Sequence, residues 1–233
     1  MRVVRFRSHT AFNAKVYTAF SVIGCSGVAL SLLYAESISI ASLCINLFLC
    51  ASLLLFSLPR AILYLKGEAG ERSVLRALRV LPDSYTTVTS FSTKGKRVGD
   101  TDILLFGPHG VMTLEVKRYS GTVMYEQGRW WRILPDGAKR ALKNVSYQAR
   151  TQSRQMQTIV MQLKETDPEM PSNYIPVQGV IVFVGRVRLN LIGLDIPAVK
   201  VEDLKEYILK QPAYLEHAQV CGLLRAFLKR YAA

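Results

Sequence analysis

The chain has 233 residues, a formal net charge of +13 and a mean hydropathy of +0.18, which is high beside its 20% charged residues. That length allows one good core, or one core with an appendage. Its cysteines (Cys25, Cys44, Cys50, Cys221) form no C-x-x-C pair and its histidines (His9, His109, His217) are scattered, so neither a zinc site nor a disulfide framework is indicated.

The high hydropathy is local. From Val16 to Leu58 the only charged residue is Glu36. This run divides into residues 16–34 and 38–58 around an Ala-Glu-Ser break, and each half has about the 20 residues that span a bilayer as a helix. A buried soluble hairpin of this length would keep a polar face, which is missing here. A cleaved signal peptide does not fit, because a second apolar segment follows Tyr34 at once. Val-Ile-Gly-Cys at 22–25 resembles a lipoprotein cleavage box, but more apolar sequence follows Cys25. Arg2, Arg5, Arg7 and Lys15 precede the hairpin, and Arg60 and Lys66 follow it. The positive-inside rule therefore puts both ends in the cytoplasm. The expected organisation is a basic N-terminus with two transmembrane helices over 1–66, lying in a bacterial inner membrane, and a cytoplasmic domain over 67–233.

Residues 66–70 read as a short polar link with two glycines. A helical stripe over 71–81 follows, with Val74, Leu75, Leu78 and Leu81, and Pro82-Asp83 ends it. Residues 85–91 read as a strand and 92–99 as a basic loop. Strands at 102–106 and 111–117 make a hairpin, and 121–125 and 130–134 make a second one turned at Gln127-Gly128. A long Gln- and Arg-rich helix is expected over 144–163, an apolar strand at 177–184 and an amphipathic helix over 215–231. This order predicts an α/β domain, a mixed sheet flanked by helices, after the transmembrane hairpin.

Chemistry concentrates in the first hairpin. Asp102 stands on one apolar strand, and after the Gly-Pro-His-Gly turn the next strand carries Glu115 and Lys117. Alternate strand residues share a side, so Glu115 and Lys117 project together, and the hairpin brings Asp102 beside them. Two carboxylates and an ammonium at one strand end suit a divalent metal that activates water beside a phosphate. Charged side chains on apolar strands are costly unless paired or metal-bound.

Taken in order, Gly70-Glu71, Gly99-Asp100-Thr101-Asp102, Gly107-Pro108-His109-Gly110-Val111, Leu114-Glu115-Val116-Lys117, Tyr119-Ser120-Gly121, Trp130 and Asn144 to Gln148 resemble the nuclease-related domain, NERD. This family belongs to the PD-(D/E)xK superfamily of restriction-endonuclease-like folds, and the resemblance covers residues 68–184. It implies a restriction-endonuclease-like sheet and a metal-dependent nuclease. Asp102 and Glu115 would be metal ligands, with the Val116 carbonyl as a third. Glu71 would join them directly or through water. Lys117 would orient water or stabilise charge on phosphorus, and Gln148 would be a polar site residue. Magnesium is the implied metal, with manganese as a substitute. Glu71 equally suits the N-terminal dipole of its helix, Asp100 suits a turn, and Gln148 suits a solvated helix that also carries Gln152, Gln155 and Gln157.

Residues 59–233 carry 26 basic and 16 acidic residues. That excess fits a polyanion, either nucleic acid or the anionic inner leaflet. Arg118, Arg129, Arg132, Lys139, Arg140 and Lys143 are interleaved with Tyr119, Tyr125, Trp130 and Trp131. This pattern can hold phosphates and stack splayed bases, although at least one tryptophan is expected in the core. Lys94, Lys96 and Arg97 are further candidates for nucleic-acid contact. The expected function is a membrane-anchored, metal-dependent hydrolysis of DNA phosphodiesters, compatible with a homo-oligomer. The alternative is a tethered module that binds nucleic acid or a partner without cutting.

Overall fold

A computed structural model describes residues 1–6, 9–91, 101–134, 136–143, 145–168 and 170–231. They fall into two compact units. One holds the N-terminal strand and the chain from Gly70 onward, and the other is His9–Ala69.

The second unit contains helix α1 (His9–Leu33), a short 3-10 turn (Ala35–Ser37), and helix α2 (Ile40–Leu78) as far as Ala69. Both helices are long and apolar enough to cross a membrane. Their apolar side chains point mostly outward: Leu33, Phe48 and Leu55 are exposed. Small polar groups lie between the helices instead, where Ser21 and Ser57 share a buried hydrogen bond of 2.9 Å. Tyr17 and Tyr64 stack at 5.6 Å. Pro59 sits inside α2, and Arg60 Nη1 donates to the Phe56 carbonyl at 2.7 Å.

The expected link at 66–70 is absent. α2 runs without a break to Leu78. Lys-Gly-Glu-Ala-Gly contains no proline, and a glycine costs a helix only about 1 kcal/mol, so the separate helix predicted over 71–81 is the end of α2. The N-terminus also departs from expectation. Arg2–Arg5 is strand β1, paired in parallel with β2 (Thr86–Phe91), rather than only a basic flank of the first apolar helix. Met1 is tied in as well, its amine donating to Asp83 Oδ1 at 2.6 Å. Four residues give too weak a period to be read as a strand without the neighbour that pairs with them.

The remaining strands are β3 (Thr101–Gly107), β4 (Gly110–Arg118), β5 (Gly121–Glu126), β6 (Arg129–Ile133), β7 (Lys139–Leu142), β8 (Val177–Val184), β9 (Val187–Leu191) and β10 (Ala198–Lys200). The remaining helices are α3 (Val145–Thr166), α4 (Leu204–Leu209) and α5 (His217–Tyr231). They build two sheets, not one. The larger has the order β1-β2-β3-β4-β8-β10 and the smaller β7-β6-β5-β9. The larger sheet is mixed: β3 is antiparallel to β2 and β4, whereas β4, β8 and β10 run parallel.

Strand alternation divides its side chains between two cores. Leu104, Phe106 and Val111 pack with Met156, Ile159 and Val160 of α3 and Leu223 and Phe227 of α5. Ile103, Leu105, Met112 and Leu114 pack on the other side with Val74 and Leu78 of α2 and Leu204 and Ile208 of α4. The result is a mixed α/β sandwich with helices on both faces.

Two glycines control how closely these elements approach. Gly110 closes the β3–β4 turn at φ 99°, a conformation that disfavours any side chain. Gly179 of β8 has no side chain between sheet and helix: a Cβ there would stand 2.8 Å from the Ala149 carbonyl oxygen. That close approach seats the first turns of α3 on β4 and β8.

His109, in the same turn as Gly110, is 5% exposed and lies 5.5 Å from the Tyr85 ring. Neither ring nitrogen finds a hydrogen-bond partner among the described residues. Burial pushes its pKa down to about 4. The unfolded chain takes up this proton near pH 6.5 and the folded chain only near pH 4, so stability is full above the first value and is lost between the two. Between pH 7 and pH 5 the loss from this residue is about 2 kcal/mol. His109→Leu is expected to remove that part of the slope in urea midpoints measured across this range.

Candidate functional site

Three elements supply the site. Asp102 is the second residue of β3 and Glu115 and Lys117 lie near the end of β4, just past the Ile103–Leu114 rung of the β3–β4 ladder. By alternation all three belong to the sheet face that α3 covers. Gln148 and Gln152 lie one turn apart on α3, Gln152 buried on its inner side and Gln148 exposed beside it.

The contacts are tight. Lys117 Nζ donates to Glu115 Oε1 at 2.5 Å and to Gln148 Oε1 at 2.6 Å. The second Glu115 oxygen accepts from Gln152 Nε2 at 2.6 Å. Asp102 Oδ2 accepts the Val116 backbone N–H at 2.8 Å. Glu115 is 3% exposed and Gln152 4%, whereas Asp102 and Lys117 are partly exposed, so a polar cluster with a buried centre sits on the central strands of an apolar sheet. Phe183 and Ile181 of β8, in register with Lys117 and Glu115, supply the apolar floor.

Glu71 reaches the neighbourhood from the other side. It is half-buried, just past Gly70 of α2, whose helix packs on the opposite sheet face through Val74 and Leu78. Its charge is nevertheless felt at Asp102. Burial, then the Glu115 and Glu71 carboxylates, push the Asp102 carboxyl well above the usual range, while the Val116 N–H and Lys117 pull it down.

This residual negative charge is what a divalent cation would relieve. Among the described residues, no three of His, Cys, Asp or Glu are grouped to hold an ion by themselves. Any ion here would need waters beside Asp102 and Glu115, a sparse arrangement of the kind magnesium tolerates.

Similarity to known families bears on this geometry. The family model described as nuclease-related domain, NERD, matches residues 66–184, just over half of the chain. The chain belongs to the NERD family. No curated protein and no solved structure matches it. The matched segment of the NERD domain runs from the last turns of α2 through β8, and so contains every residue of the cluster.

The sequence alone does not single out Gln152. It reads as one of several glutamines on a polar helix, and its i, i+4 relation to Gln148 is the one signal that marks it. Gln148 is exposed but bonded to Lys117, so it is not a merely solvated residue. Among the basic candidates, Arg118 and Arg129 are exposed at the ends of β4 and β6. Lys94, Lys96 and Arg97 lie outside the described residues, as does Asp100. Arg132 bonds the Ser120 carbonyl at 2.9 Å, and its guanidinium lies 5.9 Å from the Tyr119 ring centre. Trp130 is core, as expected for one of the pair.

A raised carboxyl pKa means that ionised Asp102 opposes folding. Its stabilising proton is present below the unfolded value and is lost as pH rises through the folded one. In chelator at neutral pH, Asp102→Asn is expected to melt higher than wild type. The rise should be about 2–4 °C per ~1 kcal/mol of relieved repulsion. Thermal unfolding of the full chain in detergent measures this, and an unchanged or lower Tm would contradict a net repulsion at Asp102.

Proposed function

We propose that the protein is a metal-dependent phosphodiester hydrolase acting on DNA, anchored in a bacterial inner membrane by residues 16–58 with both termini and the nuclease domain in the cytoplasm. The observation that carries the chemistry is the Asp102–Glu115–Lys117 cluster, in which Glu115 is buried and Lys117 is held between Glu115 and Gln148.

Asp102 and Glu115 would hold magnesium or manganese, with the Val116 carbonyl as a further oxygen and Glu71 acting through water. When bound, the metal supplies an activated water and neutralises phosphate charge. The rest falls to the chain. Gln152 fixes the Glu115 carboxylate by bonding its inner oxygen, leaving that group one orientation. Glu115 and Gln148 aim the Lys117 ammonium, which would meet the charge that develops on a phosphoryl oxygen during in-line attack. The Val116 N–H holds the Asp102 carboxylate near the start of β3, on the same sheet face. The apolar floor keeps these charges in a poor dielectric, where each counts for more.

The net charge of +13 supports a polyanionic substrate. The two outward-facing apolar helices, with basic residues before α1 and after the apolar part of α2, support the anchor and its orientation.

The test is cleavage by the full chain in detergent, with supercoiled, linear and single-stranded DNA, in magnesium, manganese or chelator. Wild type is expected to cut only with metal. Lys117→Ala and Asp102→Ala should each lose about a hundredfold or more in rate. If DNA binds but no form is cut by wild type, the tethered binding module replaces this reading.

A further inference from the structure

The two tryptophans are adjacent in sequence and have opposite surroundings. Trp130 is buried, donates Nε1–H to Ser146 Oγ at 2.5 Å and packs against Tyr125 and Phe183. Trp131 points to the other side of β6 and remains partly exposed. Strand register puts it in a row with Met124 of β5 and Ala141 of β7, on the outer face of the four-stranded sheet.

Two open hollows share Trp131 and Arg129. One, of about 510 Å³, lies between the β5–β6 turn, β7 and the start of α3, where Tyr147 and Arg150 complete its wall. The other, of about 410 Å³, continues past Trp131 to Lys139, Gln127 and Glu126. Tyr147 is 69% exposed, so a second ring is presented beside the first hollow. The side chains of Arg129 and Lys139 are exposed and make no hydrogen bond or ion pair with the described residues, whereas Arg150 is paired with Asp195. Among the described residues, Glu126 is the only carboxylate in either lining.

Aromatic rings beside uncommitted cations favour a ligand that is flat and anionic at once. An apolar protein segment would use the rings and leave the cations idle. A closed duplex would use the cations, but its bases are stacked away from the rings. An unpaired base with its phosphates uses both. The first turns of α3 serve both places: Tyr147 lines the hollow, and the next residue, Gln148, receives the Lys117 hydrogen bond.

We propose that an unpaired base stacks on Trp131 and Tyr147, with Arg129 and Lys139 on the neighbouring phosphates, so that the substrate of the cluster is DNA with a single-stranded segment. This rests on the nuclease reading for its substrate but concerns binding, which is measured without cutting.

The experiment uses the full chain in detergent with metal chelated, a fluorescent single-stranded oligonucleotide and a blunt duplex of equal length. Trp131→Ala is expected to weaken single-strand binding by about tenfold or more and to leave duplex binding nearly unchanged. Trp131→Phe, which keeps a ring, should recover most of the loss. Exposed Tyr147→Ala should repeat the effect without risk to the core. Tryptophan emission gives an independent reading, because Trp130 and Trp131 are the only two indoles. Single strands should quench wild type but not Trp131→Phe, whose remaining indole is buried.

Equal single-strand affinity of wild type, Trp131→Ala and Tyr147→Ala would overturn the proposal. So would quenching by a short-chain anionic phospholipid and none by the oligonucleotide, which would assign the face to lipid headgroups. Trp131-dependent single-strand binding with no cleavage in magnesium would support the stacking site while removing the hydrolase reading.

Discussion

The site depends on keeping two carboxylates on the central strands of an apolar sheet. Asp102 and Glu115 come from neighbouring antiparallel strands and belong to the same face, so their charges oppose one another in a medium that screens them poorly. Three neighbours answer that repulsion, while Glu71 adds to it. Lys117 neutralises Glu115 directly, Gln152 donates to its buried oxygen, and the Val116 N–H supports Asp102. Even so, Asp102 stays hard to ionise. A cluster with repulsion left over is less stable than apolar side chains would be at the same positions, which is the mark of a functional rather than a structural arrangement in the proposed nuclease reading.

That local problem shapes the fold around it. α3 can supply both glutamines because its first turns sit close to β8, and that closeness follows from Gly179 facing the Ala149 carbonyl. The parallel pairing of β4 with β8 then places Ile181 and Phe183 as a dry floor under Glu115 and Lys117. At the opposite end of the hairpin, His109 is held neutral by burial, so the turn adds no charge to the core it caps. Charge is concentrated at one end of β3–β4 and kept out of the other.

The four-stranded sheet gives the NERD domain a second surface. Its inner face joins the third core through Val123, Tyr125 and Trp130. Its outer face carries the partly exposed Trp131 and the exposed Lys139, a ring and a cation. The proteins that use such surfaces combine stacking with phosphate contact, which tolerates sequence variation in the ligand.

Much of this was legible in the residues. The alternation of β3 and β4, the glycine turn between them and the Asp-Glu-Lys order determined the hairpin and the cluster, because strand periodicity alone decides which side chains share a face. The length and purity of the apolar run determined two helices long enough to cross a membrane. Tertiary structure decided the rest. β1 exists only because β2 lies beside it to pair with, and the link expected at 66–70 vanished because nothing local is strong enough to end α2 there. Glu71 comes from a helix that packs on the opposite sheet face, yet its charge is felt at Asp102. Gln152 and Trp131 differ from their neighbours Gln155 and Trp130 only in what they face. Identity and spacing fix what a residue can do, but contacts between elements far apart in the chain fix which residues meet, and those distances are not encoded in any local pattern.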